Sequence, residues 1–299
     1  MSEPGWLWIV FTLLAAAAQT IRNATQRELT ATLGTVGATH VRFLFGLPFA
    51  VMFLLGLMLV TGVSLPNPPA VFWPWVTLGM GAQIAATALM LAAMEERSFV
   101  VTIAYIKTEP VQVALFGLIF LGDALSIGMI AAILIATAGV LVMSLKPSGV
   151  TNDSWRPTLL GLSAGATFAL SAVGYRGAIL SLELFDYRMA ATFTLVVGLL
   201  LQAIILSGYL VLRRPDVMRA IIQAWRPSLF AGFMGATASQ FWYLAFALAT
   251  AASVRTVALV EVLFAQAIST FVFGHRTTPR EGLGILLIVA GVALLIWMH

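Results

Sequence analysis

The sequence predicts an all-α membrane protein of ten transmembrane helices, arranged as two inverted five-helix repeats. Three observations carry that expectation. The 299-residue chain is 61% hydrophobic and 9% charged, with a mean hydropathy of +1.00, whereas a soluble domain carries roughly 25% charged residues. It divides into ten apolar runs, near 6–22, 40–61, 72–94, 98–120, 124–145, 158–180, 187–212, 228–250, 252–273 and 282–298, and about 20 apolar residues span a bilayer. Finally, the stretch 104–145 recurs 152 residues later without a gap. Glu261 falls on Glu109, Gly274 on Gly122, and Ala290-Gly291-Val292 on Ala138-Gly139-Val140. Each copy holds an odd number of helices, so the second lies upside down relative to the first.

The elements follow in order. The first span ends in a polar patch, Gln19, Thr20, Arg22 and Asn23, and the second opens at His40 and Arg42. The third carries Gly79, Gly81 and Gln83, and the fourth holds Thr102, Tyr105, Lys107 and Glu109. Small residues fill the fifth. The polar segment 148–156 then separates a first repeat, 1–147, from a second, 157–299. The sixth span ends at Tyr175-Arg176, which corresponds to Arg22, and the seventh opens at Arg188. The eighth carries Gln240, Trp242 and Tyr243, the ninth Arg255 and Glu261, and the tenth closes the chain. Trp6, Trp8, Trp73, Trp75, Trp225 and Trp297 sit at span ends, where an interfacial aromatic belt belongs.

Several classes are excluded. Alternating strands are absent, so a transmembrane barrel is not expected. Connections of about a dozen residues leave no room for a soluble catalytic domain. With no cysteine, disulfides, thiol catalysis and Cys-ligated zinc are out. The start, MSEPGW, lacks a basic n-region, so the first run reads as a retained helix. The basic residues flank helices in short loops, the usual membrane pattern, which argues against nucleic acid as a partner. No phosphate-binding loop, H-E-x-x-H or Asp-rich metal motif occurs, so no ATP, metal or other cofactor is expected. Gly161-Leu162-Ser163-Ala164-Gly165 matches G-x-S-x-G, but it lies inside an apolar helix rather than on a strand-to-helix elbow. It reads instead as a Gly-xxx-Gly close-packing face.

Arg42-Phe43, Ala92-Ala93-Met94, Glu109-Pro110 and the FLGD run at 120–123 occur in that order, with partial echoes at Arg188, Glu261 and the FGH run at 273–275. In these the chain resembles the EamA-type family of the drug/metabolite transporter superfamily, over essentially its whole length. The resemblance implies export of small metabolites, often amino acids and aromatic ones among them, from a bacterial inner membrane. The second repeat departs from the family pattern, with Val262 in place of the proline and His275 in place of an acidic residue. The halves are therefore expected to contribute unequally.

Polar groups inside a membrane carry the site reading, because a charge at mid-bilayer costs a few kcal/mol unless it faces a cavity or a partner. Helical spacing puts Thr102, Tyr105 and Glu109 on one face. The alternatives for Glu109 are a cavity wall or a structural bond to Arg22 or Arg176. Lys107 either pairs with a carboxylate or snorkels to an interface. Gln240 and Tyr243, with Gln83 opposite, suit a pocket for a partly apolar solute, and Gln19 and Tyr175 are further lining candidates. Glu109 and Glu261 are the candidate proton carriers, the other possibility being passive facilitation.

The expected partners are a small-molecule solute and the lipid bilayer, around a monomer or weak dimer. A multidrug or nucleotide-sugar carrier is the alternative within transport, and a membrane scaffold or intramembrane enzyme is the alternative outside it. A phosphorylated solute needs clustered mid-membrane cations, and along the sequence only Lys107 qualifies. The Lys/Arg bias of the loops places both termini outside the cytoplasm, whereas the resemblance implies termini inside.

Overall fold

The computed structural model describes residues 5–96, 102, 105–144, 156–182, 185–264, 266 and 278–298. Gly274, His275 and most of the 148–156 linker lie outside the described residues. Among the described residues the protein is all-helical, with 89% of them in helices. Five helices are long and apolar enough to cross a membrane, and two shorter apolar ones, Glu109–Leu121 and Ile127–Met143, accompany them.

The elements are α1 (Leu7–Thr61), α2 (Phe72–Glu96), α3 (Glu109–Leu121), α4 (Ile127–Ser144), α5 (Arg156–Leu180), α6 (Tyr187–Arg213), α7 (Pro215–Gln223), α8 (Trp225–Leu248), α9 (Ala251–Val257) and α10 (Pro279–Met298). A single 3-10 turn, Ala258–Val260, follows α9.

The first two predicted spans are joined in α1. The polar patch that suggested a helix end continues as helix, because Arg22, Asn23 and Gln26 all find buried places. The chain breaks only at Gly34, with φ 67° and ψ 174°, a backbone open to glycine alone at low cost. Across that break the Gln26 amide donates to the Ala38 carbonyl at 2.9 Å, which ties the two arms of α1 together.

Residues 213–227 were expected to be a plain connection. They contain the short helix α7, whose Ile221 is fully buried while Asp216 stays in solvent.

The outside is apolar, and the apolar interior encloses a set of polar groups. Val60, Ile127 and Leu212 are 87%, 88% and 81% exposed, which only lipid makes affordable over so large a surface. Meanwhile Arg22, Gln26, Arg42, Gln202 and Ser228 are buried. Four of the predicted belt tryptophans, Trp6, Trp73, Trp225 and Trp297, lie exposed at the rim. Trp8 is instead a core residue, and Trp75 packs over Gly177.

Glycines set the helix contacts. A Cβ on Gly291 of α10 would come within 2.6 Å of the Ala136 nitrogen, and one on Gly139 of α4 within 2.7 Å of the Gly284 carbonyl. Backbone this close leaves no room for a side chain, so the repeated Ala-Gly-Val runs form the seam where α4 meets α10. Gly174 of α5 and Gly79 of α2 approach in the same way. Gly161 and Gly165 lie against Tyr105 and Ile106, which gives the G-x-S-x-G stretch its packing role.

Candidate functional site: a buried charge cluster

Two helices are interrupted at corresponding places. In the first half, Lys107 and Thr108 form a turn, and α3 restarts at Glu109 with Pro110 in its first turn. Proline suits a helix start because its missing N–H has no intrahelical acceptor there. A carboxylate also complements the positive N-terminal end of the helix. In the second half α9 tightens into the 3-10 turn Ala258–Val260 immediately before Glu261. Both repeated glutamates therefore stand just beyond a break, with their carboxylates turned into the protein.

Each glutamate meets a cation from the other half. Lys107 Nζ donates to Glu261 Oε2 at 2.6 Å, and the Thr20 hydroxyl donates to Glu261 Oε1 at 2.9 Å. Arg255 Nε lies 3.0 Å from Glu109 Oε1, an ion pair without the alignment of a hydrogen bond. The Arg255 guanidinium also stacks 4.3 Å over the Trp242 ring, and the Trp242 indole donates to Gln19 Oε1 at 3.0 Å. All four charged side chains are about nine-tenths buried, where removing one partner of an ion pair costs about 3–5 kcal/mol.

Beside these pairs lie two more arginines, Arg22 and Arg42, both buried. They lean over the same glycine of α8: a Cβ on Gly235 would meet Arg42 Cγ at 3.1 Å and Arg22 Cδ at 3.4 Å. Arg22 Nη2 donates to Asn23 Oδ1 at 2.6 Å. Arg42 reaches Thr87 Oγ1 at 3.4 Å and Ser239 Oγ at 3.3 Å.

A neutral network closes the far side. The rings of Tyr175 and Tyr243 sit 4.6 Å apart. The Tyr175 hydroxyl donates to Gln83 Oε1 at 3.2 Å, and the Gln202 amide donates to the same oxygen at 3.0 Å.

Of the predicted residues, Gln19, Gln83, Glu109, Tyr175, Tyr243, Lys107, Glu261 and Arg22 come together at this centre. The shared face of Thr102, Tyr105 and Glu109 does not form, because the break at Lys107 and Thr108 rotates the helix beyond it. Thr102 donates instead to the Ala93 carbonyl at 3.1 Å, and Tyr105 packs on Gly161. Gln240 faces away from Tyr243. Its amide donates to Thr192 at 2.8 Å, in an apolar groove also lined by Phe53, Phe233 and Phe241.

Neither predicted structural partner reaches Glu109. Arg22 bonds Asn23. Arg176 donates to the Phe246 and Ala249 carbonyls at 2.6 and 2.7 Å and lies 3.4 Å from Asp123. It caps the C-terminal end of α8, where a cation also suits the helix dipole.

Arg42, Arg255, Thr20, Trp242 and Gln202 were not anticipated as part of the centre. Arg255 and Gln202 each interrupt an apolar run, which was the one available signal. The reading that only Lys107 offers a cation in the interior is overturned, since Arg22, Arg42 and Arg255 cluster with it.

No protein-family profile and no curated protein matches the chain. Its fold is shared, with 29 solved chains matching. One, described only as "Crystal structure of protein", superposes with a TM-score of 0.70 over 99% of this chain and 98% of its own, at 15% sequence identity. At that identity the likeness establishes the arrangement of helices.

Proposed function

We propose that the chain is a secondary transporter that exports small organic metabolites across a bacterial inner membrane by alternating access. Amino acids, aromatic ones included, are the solutes implied by the EamA-type resemblance. The two halves act as inverted repeats around the central cluster.

The observation that carries this reading is the reciprocal pairing. Each half's repeated glutamate is neutralised by a cation of the other half, directly beside a broken helix. Broken helices at matching positions of two halves are the signature of a solute site at the repeat interface. The helix contacts support it too. Both arms of α1 pack on α8, through Phe11 on Phe241 and through Phe45 on Gly232, while α5 packs on α2 and α4 on α10. Ion pairs that bridge the halves give a transporter what it needs, contacts strong in one arrangement that re-form with other partners in the next. A cationic drug is disfavoured as cargo because both carboxylates already hold a cation.

Counterflow in proteoliposomes tests this, with labelled amino acids and organic acids as the panel. Saturable exchange of at least one class is expected, reduced about tenfold or more in a folded Glu261→Gln variant. Silence across the panel from protein shown to be folded removes the transport reading.

A further inference from the structure

The cations of the central cluster outnumber its anions. Among the described residues four cationic side chains converge, Arg22, Arg42, Lys107 and Arg255, against two carboxylates, Glu109 and Glu261. Lys107 and Arg255 each take one carboxylate. Among the described residues Arg22 and Arg42 form no ion pair and hydrogen-bond only neutral partners, Asn23, Thr87 and Ser239, with Arg42 also over the face of Phe43; the carboxylate that acts on Arg22 is Glu261, already held by Lys107 and Thr20.

Their donors are under-used. Arg22 is 1% and Arg42 2% exposed. Nε and Nη1 of Arg22 and Nε of Arg42 are buried without a hydrogen-bond partner. Two like charges also stand side by side over Gly235. Burying one unpaired guanidinium in a membrane is costly, and burying two together is more so. Packing alone does not need them there, because Arg22 and Arg42 approach Gly235 through their methylene stems, which uncharged residues could supply.

We propose that Arg22 and Arg42 form the recognition site for a small organic dianion, a dicarboxylate or a phosphate monoester. This rests on the transport reading for the solute's passage but not for its binding. Two surplus positive charges match two negative ones. A guanidinium fork fits the paired oxygens of a carboxylate or phosphate better than a compact ammonium does. The Tyr175 and Tyr243 rings, 4.6 Å apart, stand near Arg42 and bring hydroxyls and aromatic faces to that side of it. A zwitterionic amino acid has no net charge and would leave the surplus of two uncancelled, so it is the weaker ligand.

The test is thermal unfolding of the purified chain in detergent, titrated at constant ionic strength with succinate, glycerol phosphate, alanine, phenylalanine and chloride. Saturable stabilisation by a dianion is expected, at concentrations about tenfold or more below those at which either amino acid acts. Arg22→Gln and Arg42→Gln should each weaken that response about 10- to 100-fold, the range for losing one charge-assisted hydrogen-bonded contact. Arg42→Lys, which keeps the charge and loses the fork, should fall between. The relative response to succinate and glycerol phosphate assigns the carboxylate or the phosphate.

Equal or stronger stabilisation by the zwitterions, an equal response to chloride, or no response to any dianion overturns the proposal. The wild-type comparison decides even if a variant fails to fold. Dianion binding without counterflow keeps this site and removes transport; zwitterion counterflow without dianion binding keeps transport and removes this site.

Discussion

The α4–α10 seam and the central charge cluster both join the first half of the chain to the second. At the seam, Gly139, Gly284 and Gly291 bring backbone against backbone, Arg280 Nε donates across it to the Val142 carbonyl at 2.6 Å, and the rest of the attraction is the sum of many small contacts. At the cluster, Lys107 with Glu261 and Arg255 with Glu109 cross between the halves, and each charge has one ion-pair partner. The seam has no second low-energy arrangement nearby, because a shift leaves voids. The cluster has spare donors on Arg22 and Arg42, so its carboxylates have other cations to turn to. One contact thus suits a fixed pivot and the other a contact that changes partners.

The sharpest break in that contrast is Glu109→Gln, which strips Arg255 of its counter-charge in a buried site. We expect a loss of about 3–5 kcal/mol, read as a lower unfolding midpoint in detergent. Glu109→Gln combined with Arg255→Gln should recover part of it, since the uncompensated charge is gone. If the single and double variants unfold alike, the pair is not energetically coupled and the contrast fails.

Gly291→Leu probes the seam. Its side chain would run into the backbone of Ala132 and Ala136, and overpacking of this kind typically costs about 1–3 kcal/mol. No second substitution in the cluster should rescue it. Rescue would mean that the two contacts are not independent.

The smallest effect is expected at Asp186, which lies at the rim and belongs to neither contact. Its carboxylate caps α6 by accepting from the Arg188 backbone N–H, and it takes both Arg188 Nε and Nη2, at 2.9 and 3.1 Å. Asp186→Ala should cost about 1 kcal/mol. The hydrogen bond from the Arg188 side chain holds this carboxyl below its ordinary range. Its contribution is therefore complete above the unfolded value, about 3.9, and is lost as pH falls through the lower folded value. The difference in midpoint between wild type and variant should shrink under acid. A difference that persists unchanged there would assign the effect to something other than the carboxylate.

The sequence by itself determined that the chain is helical and lies in lipid, because hydropathy is a sum over residues and needs no partners. It also singled out Glu109, Lys107, Glu261 and Arg22, since an ionisable group in an apolar run is costly wherever the chain folds, and the Ala-Gly-Val runs, since small residues signal close approach.

The tertiary structure alone decided who meets whom. Helical periodicity set Thr102, Tyr105 and Glu109 on one face, and a turn at Lys107 and Thr108, just ahead of Pro110, undid it. Arg255 reaches Glu109 across 146 residues of chain, and Lys107 reaches Glu261 across 154. Gln240 turned outward although Tyr243, one turn on, faces in. Pairings of that kind depend on where helices cross and rotate. Those are set by packing over the whole bundle, at positions such as Gly79, Gly174 and Gly235, and no local stretch of sequence contains them.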